Sequence, residues 1–547
     1  MTGDAAADPA GDRRGKPAST AWLTSALAGL LVQFALVAPD QVSRLTPGQF
    51  VRIPLEGLLC VALVLVLPQR ARRVVTALVG AALGLLTILK IIDMGFFATL
   101  ARPFDPVLDW ALLDDGIRFL TDSIGLVGAI GSTVAAAVLT TAVLIVMTRS
   151  VRRLASIVVR HRSAATRAVA ALGIVWITCA VSGVQIVPGV PLAADSAAAL
   201  TYDSARRVPA ALRDQEAFAA QAAVDAFRDT PGQDLLTGLR GKDVIFSFIE
   251  SYGRDAVENP EVGAVLDDGD RRLRAAGFAS RSAFLTSPTA GGGSWLAHST
   301  FLSGLWIDNQ ERYRSLLTSE RLTLISAFRR ANWRTIGVQP GTAQAWPEGE
   351  TFYGYDRIYT AGELGYRGPK FGWSSMPDQY TLSVFERFEH ATPGHAPLMA
   401  EITLVSSHSP WAPIPRLIGW TDIGDGSVYT AIAAAGNSME DVWRDPARIR
   451  TEYRRSIEYS LNSLISYVEK YGDDDLVLVV LGDHQPAPII TGEDASRDVP
   501  ITIVTRDRTV LSRISGWGWH AGLRPGPQAP VWRMDTFRDR FLTAFGP

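Results

Sequence analysis

The chain has 547 residues, 47% of them hydrophobic and 20% charged, with a formal net charge of −2. That length allows more than one structural unit, and so small a charge excludes the electrostatic footprint expected of a partner such as nucleic acid or an acidic polymer. Only two cysteines occur, Cys60 and Cys179, both in apolar runs, so the polar part of the chain carries no disulfide and no cysteine-based metal site.

In chain order, residues 1–20 are rich in Ala, Asp, Gly and Arg and read as a disordered cytoplasmic tail. Residues 21–190 then hold five long apolar runs, at 21–39, 53–68, 74–100, 123–147 and 168–188. Each approaches the ~20 apolar residues that cross a bilayer core, although the second is short and carries Glu56 near its start. Five such runs packed as soluble helices would leave no polar face, so a five-helix transmembrane bundle is expected. Arg and Lys cluster before the first run (Arg13, Arg14, Lys16), between the second and third (Arg70, Arg72, Arg73), and between the fourth and fifth (Arg149, Arg152, Arg153, Arg160, Arg162, Arg167). The two intervening connections are poor in base. This alternation predicts a multi-pass protein of the cell membrane, with a cytoplasmic N-terminus and an extracytoplasmic C-terminal half. Residues 191–240 are Ala-rich and mixed in charge, as in ALRDQEAFAAQAAVDAF (211–227), and suit a helical connector.

From residue 241 to 547 the pattern changes to short apolar strands alternating with helices. KDVIFSFIES (242–251), APLMAEITLVSSHSP (396–410), DLVLVVLGDHQP (475–486) and DVPITIVTRD (498–507) read as strands, and RTEYRRSIEYSLNSLISYVEKYG (450–472) as a long amphipathic helix stopped by Gly472. Such alternation implies an α/β domain with a mostly parallel sheet, in which ligands bind beyond the carboxyl ends of the strands. Three strands end in polar residues: Glu250, His408, and Asp483 with His484.

Carboxylates with an imidazole suit a divalent cation, and the imidazole shifts the preference toward Mn²⁺ or Zn²⁺ over Mg²⁺. Glu250, Asp483 and His484 supply three ligands. The fourth would be an oxygen nucleophile, because coordination lowers a hydroxyl's pKa and aims it. The stretch TSPTAGGGSWLAHSTFLSGLW (286–306) offers Ser294, after three glycines and at the expected N-cap of a helix. There backbone N–H groups and the helix dipole favour a phosphate dianion. Taken singly, each of these residues also fits an ordinary turn, cap or salt bridge.

Four motifs in order, VIFSFIESYGRD, GGGSWLAHSTFLSGL, TLVSSHSPW and LGDHQP, resemble the alkaline phosphatase/sulfatase superfamily, and within it the lipoteichoic acid synthase-like phosphoglycerol transferases. The resemblance implies a sulfatase-like fold for the outer domain. It also implies metal ligation by Glu250, Ser294, Asp483 and His484, with Mn²⁺ as the leading cation and Mg²⁺ or Zn²⁺ as alternatives. Ser294 stands where the family carries a threonine nucleophile. The implied reaction is transfer of phosphoglycerol, or a related phospho-alcohol, from a phosphatidylglycerol-like lipid to an envelope glycan or glycolipid through a covalent adduct. His408 and Trp346 would contact the substrate. Trp346 is followed by Pro347 and Glu348, where the family has Trp-Asn-Arg, and Arg357 is displaced. Water in place of the acceptor would make the same site a phosphodiesterase or phosphatase. A catalytically inactive envelope scaffold is a further alternative. Sulfuric-ester hydrolysis is disfavoured, since Thr286-Ser287-Pro288-Thr289 lacks the Cys/Ser-x-Pro-x-Arg signature.

Overall fold

The computed structural model describes residues 18–547; the expected tail at 1–20 lies almost wholly outside them. The chain divides into two compact units, one made of residues up to Gly95 with Pro103–Pro209, the other of Phe96–Arg102 with Ala210–Pro547.

The first unit is built from helices α1 (Ala18–Val37), α2 (Leu55–Val66), most of α3 (Gln69–Leu100), α4 (Ala111–Arg160), α5 (Arg162–Ser182) and the start of α6 (Ser196–Ala223). Among the described residues, three segments are long and apolar enough to cross a membrane: α3, the part of α4 from Gly125 to Arg160, and α5. Their side chains face outward along most of their length, as expected of a surface that meets lipid rather than water. The second predicted span falls short: the 12 residues of α2 extend only about 18 Å against a hydrocarbon core of about 30 Å, whereas α1 has 20 residues. The α4 helix is broken at Gly125 (φ 75°, ψ 165°). Within the third apolar run, Lys90 is buried and donates to the carbonyls of Ala35 and Ala38 at 2.9 and 2.7 Å. It thereby caps the last turn of α1, where unpaired carbonyls favour a cation.

The second unit is a nine-stranded mixed sheet. Its elements are β1 (Asp243–Ile249), α7 (Pro260–Ala275), β2 (Ala279–Thr286), α8 (Ser294–Ser303), α9 (Leu324–Arg330), β3 (Arg334–Gln339), β4 (Arg357–Thr360), α10 (Asp378–Phe385), β5 (Leu398–Leu404), α11 (Pro446–Tyr471), β6 (Leu476–Gly482), β7 (Asp498–Thr505), β8 (His520–Ala521), β9 (Val531–Arg533) and α12 (Phe537–Ala544). The strand order is β8-β2-β7-β6-β1-β5-β3-β4, with β9 pairing to β2. The five strands from β6 to β4 are mutually parallel, and β7 runs antiparallel between β6 and β2.

Helices cover both faces, which is why β1, β5 and β6 read as unbroken apolar runs. Alternate residues enter opposite layers. Ile245 and Ile249 of β1 pack with α7, α10 and α11, whereas Val244, Phe246 and Phe248 pack with α8, α9 and α12. Gly482 ends β6 because a Cβ there would stand 1.8 Å from the Tyr252 carbonyl oxygen. The β1–β6 register pairs Ile249 with Gly482, and the β1–β5 register pairs Ile249 with Leu404. Three parallel strands therefore end level, about 4.8 Å apart, and release Glu250, Asp483 and the loop bearing His408 on one rim.

Candidate active site

That rim borders a cavity of about 370 Å³, lined among others by Glu250, Ser294, His298, Trp346, Glu401 and His408. Glu250, Asp483 and His484 are all buried, and each offers a ligand atom within 4.8 Å of those of the other two. His484 Nε2 stands 3.5 Å from Glu250 Oε1 and 3.6 Å from Asp483 Oδ2. Ser294 Oγ closes the group, 3.0 Å from Glu250 Oε2 and 3.2 Å from His484 Nε2.

Each ligand is aimed by the backbone around it. The amides of Ser251 and His484 donate to Asp483 Oδ1 at 2.8 and 2.7 Å, leaving Oδ2 buried with no hydrogen-bond partner. His484 Nδ1 lies 2.9 Å from the Gln485 carbonyl oxygen. A carbonyl can only accept, so Nδ1 carries the proton and Nε2 presents its lone pair to the group, the tautomer that binds a metal. Ser251 Oγ donates to Glu250 Oε1 at 2.7 Å, and Ser407 Oγ holds the Glu250 carbonyl at 2.5 Å.

The electrostatics are those of a buried cluster whose charges conflict. Burial and the neighbouring Glu250 push the Asp483 carboxyl above the ordinary range. Burial would also raise Glu250, but His484 and His408 hold it below the ordinary range. Burial alone would lower the His484 imidazole; Asp483 and Glu250 outweigh it and raise the imidazole instead. Two carboxylates this close cannot both ionise comfortably in low dielectric, and a divalent ion removes the conflict. Ligand atoms about 2.1 Å from a shared cation lie roughly 3.0–3.5 Å apart in octahedral or tetrahedral arrangement. The separations found here fit that spacing, and the orphaned Asp483 Oδ2 supplies an acceptor with nothing else to bind.

Ser294 differs from expectation in one respect. The N-cap is Gly293, at φ 80° and ψ 36°, and Ser294 is the first helical residue of α8. Only glycine enters that left-handed region without cost. Because Gly293 takes the cap, the Ser294 hydroxyl makes no capping bond and turns to Glu250 and His484.

His408 and Trp346, both read from the sequence as substrate contacts, line the cavity. The His408 ring stacks on Trp373 with centroids 3.9 Å apart, and its Nδ1 is 2.6 Å from the Ser409 carbonyl oxygen. Trp346 packs against Tyr353 and Tyr355 at 5.4 and 6.1 Å. Arg357 pairs instead with Glu363 at 3.0 Å and does not line the cavity.

Sequence reasoning missed a second polar group on the cavity wall. His298, one helical turn beyond Ser294, places Nδ1 2.7 Å from Glu401 Oε1. The other Glu401 oxygen accepts from the Tyr355 hydroxyl. The signal was present in SWLAHSTF, where Ser294 and His298 are four apart on one helix face. Nothing local marked Glu401 inside the apolar strand MAEITL.

No family model and no curated protein matches the chain. Among solved structures it is similar to the lipoteichoic acid synthase LtaP from Listeria monocytogenes, at 15% identity over 53% of this chain and 70% of that one, with a TM-score of 0.36. It is also similar to the phosphoglycerol transferase GacH from Streptococcus pyogenes in complex with sn-glycerol-1-phosphate, at 13% identity over 60% and 91% of the two chains, TM-score 0.35. A third is the integral membrane lipooligosaccharide phosphoethanolamine transferase A from Neisseria meningitidis, at 11% identity over 96% and 95%, TM-score 0.44.

Proposed function

We propose that the chain is a membrane-anchored, metal-dependent transferase that moves a phospho-alcohol from a lipid donor to an envelope glycan or glycolipid. The catalytic unit would lie outside the cytoplasm, as the alternating Arg-rich connections imply. The observation that carries the reading is the Ser294 hydroxyl, 3.0 and 3.2 Å from two of the three metal-ligating side chains at the start of α8. A bound divalent cation, with Mn²⁺ the first candidate, would polarise the phosphoryl oxygens and make the serine hydroxyl more acidic.

In this reading Ser294 is the nucleophile. Glu250 Oε2 accepts the hydroxyl's hydrogen bond, and the lone pair of His484 Nε2 would go to the cation. The first-turn N–H groups of α8 face the phosphate dianion. His408, fixed by Trp373, faces the substrate, and Trp346 supplies an apolar wall for the head group. The lipid alcohol leaves, and an acceptor hydroxyl then displaces Ser294 from phosphorus. The inactive-scaffold alternative is disfavoured because four ligand groups from three chain segments converge with one carboxylate oxygen left over.

The test uses the full chain in detergent with phosphatidylglycerol labelled in its glycerol head group, plus an envelope glycan fraction. Label on the glycan supports transfer, whereas label released only as free glycerol phosphate supports the hydrolase reading. Ser294→Ala is expected to abolish both, by 10³-fold or more, on the order expected for removal of a nucleophile. Activity retained in that variant contradicts the covalent mechanism.

A further inference from the structure

The cavity holds one more reactive group, which the four metal-site residues do not employ. Glu401 lies in the middle of β5, whose seven residues are all buried, and it is 1% exposed. Its neighbour in register on β1 is Phe246. A charge inside an apolar layer is costly to bury, and a hydrophobic residue of similar size would serve the core at least as well.

What Glu401 does is hold His298. A carboxylate only accepts, so the 2.7 Å contact puts the proton on Nδ1. The Nε2 lone pair is thereby released, and Nε2 is buried with no hydrogen-bond partner. The ring cannot swing away, because it lies flat on Phe248 with centroids 3.8 Å apart and planes 17° apart. A purely structural His–Glu pair would have no reason to leave its second nitrogen unsatisfied, and His298 lines the same cavity as Ser294. Nor does Ser294 need it, since that hydroxyl is already engaged by Glu250 and His484. Beside it, Thr403 and Gln339 bond each other at 2.9 Å and add polar atoms suited to a polyol.

Resting on the covalent reading above, we infer that His298 is the base that takes the proton of the acceptor hydroxyl when the Ser294 adduct is discharged, with Glu401 as its positioning residue. In that step the acceptor oxygen bonds to phosphorus, and the bond between phosphorus and Ser294 Oγ breaks with its electron pair going to Oγ. The acceptor proton passes to His298 Nε2 and from there, or through solvent, to Ser294. The two half-reactions then use different proton acceptors, and the acceptor site lies on the His298 side of the cavity.

Bis(4-nitrophenyl) phosphate separates the halves, because 4-nitrophenolate departs without needing a proton. The full chain loaded with Mn²⁺ is mixed with this probe and then with glycerol. Acid-quenched samples are examined by intact mass and peptide mapping for a 4-nitrophenyl phosphate ester on Ser294. In His298→Gln the adduct should accumulate and its discharge to glycerol should slow on the order of 100-fold, the usual range for loss of a general base. Glu401→Gln should show the same split, since its amide would donate to Nδ1 and reverse the tautomer. In His298→Ala, which opens a ring-sized space, added imidazole should restore discharge. Discharge at the wild-type rate in His298→Gln overturns the inference while leaving the covalent reading intact. Equal loss of adduct formation and discharge in both His298 variants, unrelieved by imidazole, also overturns it. Absence of a Ser294 adduct in the wild type defeats the covalent reading and this inference together.

Discussion

Asp483 spends one carboxylate oxygen on two backbone amides and leaves the other with none, and the chemistry of the site turns on that asymmetry. The convergence of Glu250, Ser294, Asp483 and His484 was legible because each follows an apolar strand or a glycine run, where a polar side chain has no packing role. Glu401 was not legible because it sits inside an apolar strand and its partner His298 is 103 positions away. The position of Ser294 depends on its neighbour. A Cβ at Gly293 would meet only ordinary contacts, the nearest at 3.4 Å, so any cost of Gly293→Ala comes from its φ of 80°. That variant should lose about 1–2 kcal/mol of stability in urea unfolding, the penalty for a non-glycine residue in the left-handed region. Gly362→Ala, with nothing within 4 Å and no such φ, should lose little. Equal effects at the two positions would refute the argument from backbone conformation.

At the scale of elements, the site exists because β1, β5 and β6 end level, and the loop after β5 must then be held still. Asp378, the first residue of α10, does this. Its Oδ1 accepts from the Ser406 amide at 2.9 Å, its own amide donates to Ser406 Oγ at 2.9 Å, and Ser460 of α11 donates to Oδ2 at 2.6 Å. Burial pushes the Asp378 carboxyl up to about 6 from an ordinary 3.8. Below pH ~4 the group is neutral in folded and unfolded chains alike and costs nothing. Between about pH 4 and 6 the unfolded chain gives up the proton while the folded chain retains it, so stability falls as pH rises. The gap corresponds to about 3 kcal/mol by pH 7. In Asp378→Asn this titration is gone, and the Ser460 hydroxyl can turn to accept. Relative to wild type, the variant should gain up to about 3 kcal/mol between pH 4 and 7 in urea unfolding; a difference constant with pH contradicts the assignment. The strands themselves were readable from their continuous apolar runs. Their levelling was not, because register depends on pairings between segments more than 150 residues apart.

For the whole molecule, composition separated an apolar part from a polar part, and the chain passes between its two compact units after Gly95, Arg102 and Pro209. Among the described residues, three of the five expected spans are helices long and apolar enough to cross a membrane, α1 has 20 residues, and the 12-residue α2 is short. Hydropathy registers apolar runs well. It does not register where a helix ends, as at the 12-residue α2, nor a buried cation such as Lys90 that caps another helix. The proposed chemistry requires the second unit to hold one divalent ion among Glu250, Asp483, His484 and Ser294. The most direct measurement is the metal content of the purified full chain after equilibration with Mn²⁺ and removal of free ion, for wild type and Asp483→Asn, with circular dichroism as the control for folding. The account predicts one equivalent in the wild type and less than about a tenth in the variant, since an amide nitrogen replaces the one unpaired carboxylate oxygen. A full equivalent retained by the folded variant, or none taken up by the wild type, would contradict it.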